Sequence, residues 1–151
     1  EQIDIGIRHG LIRDSRFVAR QVAEVRFFMV ASPALLQQTG SPQTLAELQA
    51  QPVVSTIDQR TGRPWPWFFR QDAQWIPREP ALLGNSTQAE CAAALAGLGF
   101  AQLPGFIAIP HLRQGTLCEQ IDIGIRHGLI RDSRFVARQV AEVRFFMVAS
   151  P

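Results

Sequence analysis

The sequence predicts one α/β domain, because β-rich segments alternate with short, well-capped helices along most of the chain. The composition agrees: 46% of the 151 residues are hydrophobic and 19% are charged, as in a globular domain with a real core. No apolar run reaches membrane-spanning length and no signal peptide opens the chain, so we expect no membrane association. A cytoplasmic location fits these features.

An identical segment occurs at both ends of the chain. Glu1–Pro33 recurs letter for letter as Glu119–Pro151, at an offset of 119 − 1 = 118 residues. Repeat architectures have periods of roughly 20–50 residues and at least about three copies. We therefore expect a recent or engineered duplication, with one partial domain at 1–118 and a repeat without a function of its own at 119–151.

The first segments read as strands. Ile3–Arg8 alternates apolar residues with Asp4 and Gly6, which predicts a strand, and Arg8-His9-Gly10 predicts the turn that follows it. Two more β-rich runs predict separate strands at Phe17–Gln21 and Val25–Ala31.

Two short helices should follow. Ser32-Pro33 predicts a helix start with Ser32 as N-cap, and Gly40 predicts its end. Ser41-Pro42 predicts a second start of the same kind, and Pro52 ends that helix.

The middle of the chain predicts a loop between strands. Val53–Thr56 is a short buried strand, and Asp58–Pro64 is a loop. Further strands are predicted at Trp65–Arg70 and Gln74–Arg78, around a turn at Asp72, and at Ala81–Asn85.

The last third returns to helices. Asn85, Ser86 and Thr87 are capping types that precede a helix over Gln88–Leu98. The remaining predictions are a strand at Phe100–Leu103, a turn at Pro104-Gly105, a helix at Ile109–Gln114 ended by Gly115, and a strand from Thr116 that continues into the second copy.

Composition and spacing argue against several functions. The net charge is +2 and every basic residue is a singly placed Arg, which gives no nucleic-acid footprint. Cys91 and Cys118 lack metal-ligand spacing, and a buried thiol is expected for Cys91. His9, Asp58 and His111 lack the spacing of a catalytic triad, and no phosphate-binding loop occurs. We therefore expect no enzyme, metal or cofactor.

Six segments in chain order resemble the effector-binding domain of LysR-type transcriptional regulators. They are IDIGIR at Ile3–Arg8, FVAR at Phe17–Arg20, MVASPALL at Met29–Leu36, the helix at Ser41–Leu48, Asn85-Ser86 with AAALAGLGFAQLP at Ala92–Pro104, and LRQGTL at Leu112–Leu117. The resemblance implies an incomplete type-2 periplasmic-binding-protein-like fold, a mixed sheet flanked by helices. The matching part is the second regulatory subdomain with its hinge strands, and the helix-turn-helix through which the family binds DNA is not in this sequence.

The resemblance also implies a small effector held in a cleft between two subdomains. The positions that match the cleft lining are Arg8, His9, Ser55, Thr56, Asn85, Ser86, Pro104 and Phe106. A helix N-terminus at Ser86 and the guanidinium of Arg8 would suit an anion such as a carboxylate.

Several of these residues, and the aromatic residues of the middle segment, also have simpler interpretations. Asn85 and Ser86 are ordinary N-cap types, Arg8 is also explained as a solvated charge at a strand end, and His9 as an exposed turn residue. Alternating aromatic residues are typical of core strands, which applies to Trp65, Trp67, Phe68 and Phe69.

Two other functions remain open. One is a solute-binding protein of the same superfamily, and the other is a truncated or engineered chain that only self-associates. Phe17–Ala31 and Phe135–Ala149 have the same side chains and fit the same slot in a sheet. The second copy can enter a neighbouring chain, or both copies can pair in an enlarged sheet. We expect exchange between chains, giving a dimer or larger oligomer.

Overall fold

The computed structural model describes residues 5–9, 18–59, 61–69, 73–120 and 141–149. Contacts divide the chain into two units, Glu1–Arg26 with Glu142–Pro151, and Phe27–Ala141. The strands are β1 (Ile5–His9), β2 (Val18–Ala31), β3 (Val54–Asp58), β4 (Arg63–Pro64), β5 (Trp67–Phe68), β6 (Gln74–Trp75), β7 (Leu82–Gly84), β8 (Ala101–Pro104), β9 (Cys118–Glu119) and β10 (Ala141–Ala149). The helices are α1 (Pro33–Thr39), α2 (Leu45–Gln49), α3 (Thr87–Leu95) and α4 (Gly105–Gln114).

The first unit brings strands of the two identical segments together. β1 pairs antiparallel with β10, from Ile5 opposite Ala149 to His9 opposite Phe145. β10 in turn neighbours β2, so the strand order is β1-β10-β2. Because β10 has the sequence of Ala23–Ala31, a strand of the second copy here joins the sheet of the same chain. Exchange between chains remains a prediction.

The second unit is built on strands that run in a shared direction. β3 pairs in parallel with β7, with Val54 opposite Leu82 and Thr56 opposite Gly84. A parallel bridge joins Val53 to Phe100, just before β8 begins. β8 then pairs antiparallel with the end of β2. β9 also pairs antiparallel with β2, at Val30 and Ala31.

Two cores flank these strands, because neighbouring residues of a strand point to opposite faces. Met29 and Ala31 join a cluster that contains the aromatic residues Trp67 and Phe69 and leucines of α1 and α2. Val30 joins the other cluster, which contains residues of α3 and α4. The end of β2 is therefore buried on both faces, as the strand of an α/β layer should be.

Local capping rules predict α1 correctly and α2 only in part. Ser32 caps α1, its Oγ accepting a hydrogen bond from the Leu35 amide at 3.2 Å, and the helix ends before Gly40 at φ 75°. The predicted start of α2 at Ser41-Pro42 is wrong. Its N-cap is Thr44, whose Oγ1 accepts a hydrogen bond from the Glu47 amide at 3.1 Å. The Glu47 carboxylate in turn accepts a hydrogen bond from the Gln43 backbone amide at 2.7 Å. This reciprocal pair outweighs the Ser-Pro signal.

Several strand boundaries also differ from the predictions. The two runs predicted over residues 17–31 form one 14-residue strand, β2. Arg8 and His9 belong to β1, where they were predicted to form a turn. The loop predicted at 58–64 is a hairpin, with Asp58 paired to Arg63. The turn predicted at Asp72 and the strand predicted to continue beyond Gln120 lie outside the described residues.

The aromatic segment and α4 show how tertiary packing moves boundaries. The two aromatic strands are only two residues each, β5 and β6. The turn predicted at Pro104-Gly105 is wrong, because α4 begins at Gly105 and continues through Pro110 to the αL cap at Gly115. A proline within a helix usually costs about 3 kcal/mol, and Pro110 lies inside α4. Burial of Gly105 and Ala108 supports the earlier turn of α4.

Gly99 lies against the backbone of Pro52 and Val53, just before β3. A Cβ added there would lie 2.8 Å from the carbonyl oxygen of Pro52. We therefore expect Gly99→Ala to lower the free energy of unfolding by about 1–3 kcal/mol, the usual cost of overpacking. Urea denaturation measures this. Gly84→Ala is the matched control, because its added Cβ would meet Ala89 at an ordinary 3.5 Å. Equal losses in both variants would contradict the close approach.

Candidate functional site

The carboxyl ends of three strands meet at one edge of the second unit. β3 and β7 run parallel, and the bridge from Val53 to Phe100 gives β8 the same direction. α3 follows β7, and α4 follows β8 directly, so both helices begin at this edge. In open α/β sheets ligands bind outside the carboxyl ends of strands, which makes this edge the candidate site.

Ser86 prepares the N-terminus of α3. Its backbone is extended, and its Oγ accepts a hydrogen bond from the Ala89 amide at 3.2 Å. The capping role considered for Ser86 is therefore confirmed, and the hydroxyl still has a hydrogen to donate. Asn85 precedes it and is exposed. The N-terminal end of the α3 dipole also favours a negative charge.

Thr56 of β3 and Glu90 in the first turn of α3 are joined by a hydrogen bond. Glu90 lies four residues after Ser86, on the same face of α3. The Thr56 hydroxyl donates to Oε2 of Glu90 at 2.5 Å. Glu90 is only 4% exposed, and this burial raises its pKa from 4.5 to about 7. Hydrogen bonds from Thr56 and from the backbone of Gln102 stabilise the charged form and limit the rise.

Gln102 continues the buried polar chain to the aromatic hairpin. Its side chain accepts from the Phe68 amide at 2.9 Å and donates to the Phe68 carbonyl at 2.7 Å. This amide thus takes the place of a strand partner for β5. This series of hydrogen bonds, from Thr56 through Glu90 and Gln102 to Phe68, links β3, α3, β8 and β5.

The other predicted site residues are more scattered. Ser55 is 1% exposed and, as the strand neighbour of Thr56, points to the opposite face. Pro104 ends β8 and occupies the N-cap position of α4 without a side-chain cap, and Phe106 is 71% exposed. Arg8 and His9 lie in β1 of the other unit, opposite Phe146 and Phe145.

The structure supports the simpler interpretation of several residues. Trp67 and Phe69 are buried in the core, and the Trp67 and Trp75 rings meet edge to face at a centroid distance of 5.5 Å. Cys91 is buried, as predicted. Burial and then the charge of Glu90 raise its thiol pKa, so it is a poor nucleophile.

The described residues form no metal-binding cluster, and one open groove that they line lies away from the candidate site. Among the described residues no cluster of His, Cys, Asp and Glu could hold a metal ion. None of the described helices is long and apolar enough to cross a bilayer. An open groove of about 850 Å³ is lined by Val53, Trp75, Pro77 and Arg78 among others. It lies at the start of β3 and contains none of the predicted site residues.

Sequence reasoning missed Glu90 and Gln102. Both stand within segments that read as ordinary α/β packing, and their burial is set by tertiary contacts. One local signal was present, since Glu90 follows the capping Ser86 by four residues in an otherwise Ala-rich helix.

Comparison with known proteins identifies the class of domain. The LysR substrate-binding domain model matches residues 1–120. An uncharacterised HTH-type transcriptional regulator of Haemophilus influenzae is 29% identical over 119 residues, which cover 79% of this chain and 41% of that protein. The HTH-type regulator CrgA of Neisseria meningitidis serogroup C is 29% identical over 77% of this chain and 38% of its own length. The chain spans about two fifths of these relatives.

Solved structures show the same fold. The full-length virulence activator AphB of Vibrio cholerae matches with a TM-score of 0.71 and 19% identity, over 98% of this chain and 46% of that one. The regulatory domain of CrgA from Neisseria meningitidis matches with a TM-score of 0.65 and 23% identity, over 97% and 65%.

The fold is therefore a partial type-2 periplasmic-binding-protein-like α/β domain of the regulatory, non-enzymatic kind. More particularly, the chain belongs to the LysR substrate-binding domain family, the effector-binding domain of LysR-type regulators.

Burial of Glu90 should make stability depend on pH. Its folded pKa lies above the ordinary value, so its contribution is present at low pH and is lost between pH 4.5 and about 7. At about 1.4 kcal/mol per pKa unit, the free energy of unfolding should fall by roughly 2–3 kcal/mol between pH 5 and pH 8. Glu90→Gln should remove this part of the fall.

Urea denaturation at both pH values measures the difference. Glu79→Gln is the control, since Glu79 is exposed and the same chemical change there should leave the wild-type pH dependence intact. A pH dependence in Glu90→Gln as steep as in the wild type would contradict the buried acid.

Proposed function

We propose that this chain is the effector-sensing part of a LysR-type transcriptional regulator and that it binds a small anion at the carboxyl edge of β3 and β7. Family membership supports a small-molecule effector. The observation that carries the location is the convergence of Thr56, Ser86 and the N-terminus of α3 at this edge. DNA binding would belong to a separate helix-turn-helix domain. The regulator would act in the cytoplasm.

An anion suits the donors at this edge. The first turn of α3 has backbone N–H groups without helical partners, the helix dipole adds partial positive charge, and Ser86 retains a hydroxyl hydrogen. A carboxylate would accept from these groups together. Asn85 adds an exposed amide beside them. Arg8 and His9 enter this proposal on the family resemblance alone, as do Pro104 and Phe106.

Carboxylate binding can be tested by thermal shift with acetate, succinate and citrate. A site occupied at 100 times its dissociation constant stabilises the fold by about 2.7 kcal/mol. Ser86→Gly should reduce the shift, because glycine still caps a helix at a cost of only a few tenths of a kcal/mol but has no hydroxyl. Arg113→Ala, an exposed change near the far end of α4, should keep the full shift.

The role of Arg8 needs a double variant because the two copies are identical. Arg8→Ala combined with Arg126→Ala should bind carboxylates more weakly if a guanidinium pairs with the effector. Shifts equal to those of the wild type would remove Arg8 from the site. Absence of any shift in the wild-type chain would count against the anion site itself.

Self-association is the second proposed property. Two segments of identical sequence compete for equivalent places in a sheet, and β10 already pairs with β1 of the same chain. An exchange of these strands between chains would give a dimer or an open oligomer.

Truncation after Gln120 should give a smaller, more monomeric species. This boundary keeps Gln120, which is 4% exposed and whose amide donates to the Met29 carbonyl at 2.8 Å. Light scattering at roughly 100 µM compares the two proteins, because exchange depends on concentration. A full chain that stays monomeric there, with residues 121–151 protected from protease, would rule out exchange.

A further inference from the structure

Glu90 is a buried acid with no role in capping α3, whose N-cap is Ser86. It is 4% exposed, and its described partners are a hydroxyl and a backbone amide rather than a cation. A buried carboxyl group is costly unless hydrogen bonds offset the loss of water. Its position matters because one partner, Thr56, lies at the candidate site.

The charge of Glu90 fixes which way the Thr56 hydroxyl points. An ionised carboxylate only accepts hydrogen bonds, so Thr56 must donate to it, as the structure has it at 2.5 Å. The side of Thr56 away from Glu90 then offers only lone pairs. A protonated Glu90 can instead donate to Thr56 Oγ1, which frees the Thr56 hydrogen for another acceptor.

We propose that Glu90 is the positioning residue that couples anion binding to proton uptake. An anion binds at Thr56 together with one proton, which Glu90 takes up. This inference rests on the proposed anion site at α3. With Glu90 ionised, an anion meets lone pairs and a buried negative charge. With Glu90 protonated, it meets a donor and no charge. Proton uptake thus accompanies anion binding, and no other bond is made or broken.

Other titratable groups lie near enough to require a control. Cys91 follows Glu90 on α3, and Glu90 raises its pKa. β3 carries Asp58, two residues beyond Thr56 and so on the same face, and α4 carries His111 and Arg113. The sequences of β7 and β8, the other strands packed on α3, have no titratable side chain. A wild-type profile alone therefore does not identify Glu90.

The ligand-free protein provides the first test. Carbon-13 NMR of the Glu90 carboxyl group should show a titration midpoint near pH 7, and that signal should vanish in Glu90→Gln. Thr56→Val removes a bond that favours the ionised form, so the midpoint should move upward. An ordinary midpoint near 4.5, or no movement in Thr56→Val, would overturn the proposal.

Acetate provides the second test, followed through the amide signals of residues 86–89. If one proton is taken up, acetate should bind about tenfold more weakly at pH 8 than at pH 6. In Glu90→Gln the amide always has hydrogens to donate to Thr56, so binding should be equal at both pH values. Acetamide, neutral and similar in shape, should show no such pH dependence with either protein.

The outcomes separate the two proposals. Equal pH dependence of acetate binding in the wild type and in Glu90→Gln would overturn the role of Glu90 while leaving an anion site. No response to acetate at either pH, in either protein, would overturn the anion site and with it the coupled proton. Glu79→Gln should match the wild type in every measurement.

Discussion

The parallel contact between Val53 and Phe100 is the constraint on which the second unit depends. The Val54 amide donates to the Phe100 carbonyl at 2.8 Å, and the Phe100 amide donates to the Pro52 carbonyl at 2.9 Å. This backbone bridge joins β3, with its partner β7, to the segment that continues into β8, the strand that pairs with β2. The contact requires Gly99 beside it, because a side chain would strike the Pro52 carbonyl. It also gives three strands one direction, and therefore places two helix N-termini at one edge.

A polar chain through the core accompanies this arrangement. Glu90 and Gln102 occupy positions that hydrophobic residues could fill, and removing one partner of such a chain leaves a buried group unpaired. Glu90 holds the hydroxyl of Thr56 and the backbone of Gln102, while Gln102 holds both backbone groups of Phe68. The hydrogen bonds therefore fix β3, α3, β8 and β5 relative to one another more specifically than apolar contacts would.

The sequence predicts what short-range chemistry decides. Ser32 and Ser86 were recognised as caps because their bonds span three residues, and the order of strands and helices followed from their patterns. Thr56 and Ser86 were predicted as site residues and do lie at one edge. Burial of Glu90, the continuous β2 strand and the early start of α4 depend on contacts distant in sequence. Opposite orientations of Ser55 and Thr56 could have been anticipated from strand alternation.

The duplicated strand sequence allows one segment to be compared in two different surroundings within the same chain. Ala23–Ala31 and Ala141–Ala149 have the same sequence, so their amides have the same intrinsic chemistry of hydrogen exchange with solvent. Val30 pairs with Ala101 and Glu119, whereas its duplicate Val148 pairs with Gly6. Any difference in exchange rate between two equivalent residues therefore comes from their surroundings alone. The rates need no correction for differences in side-chain type.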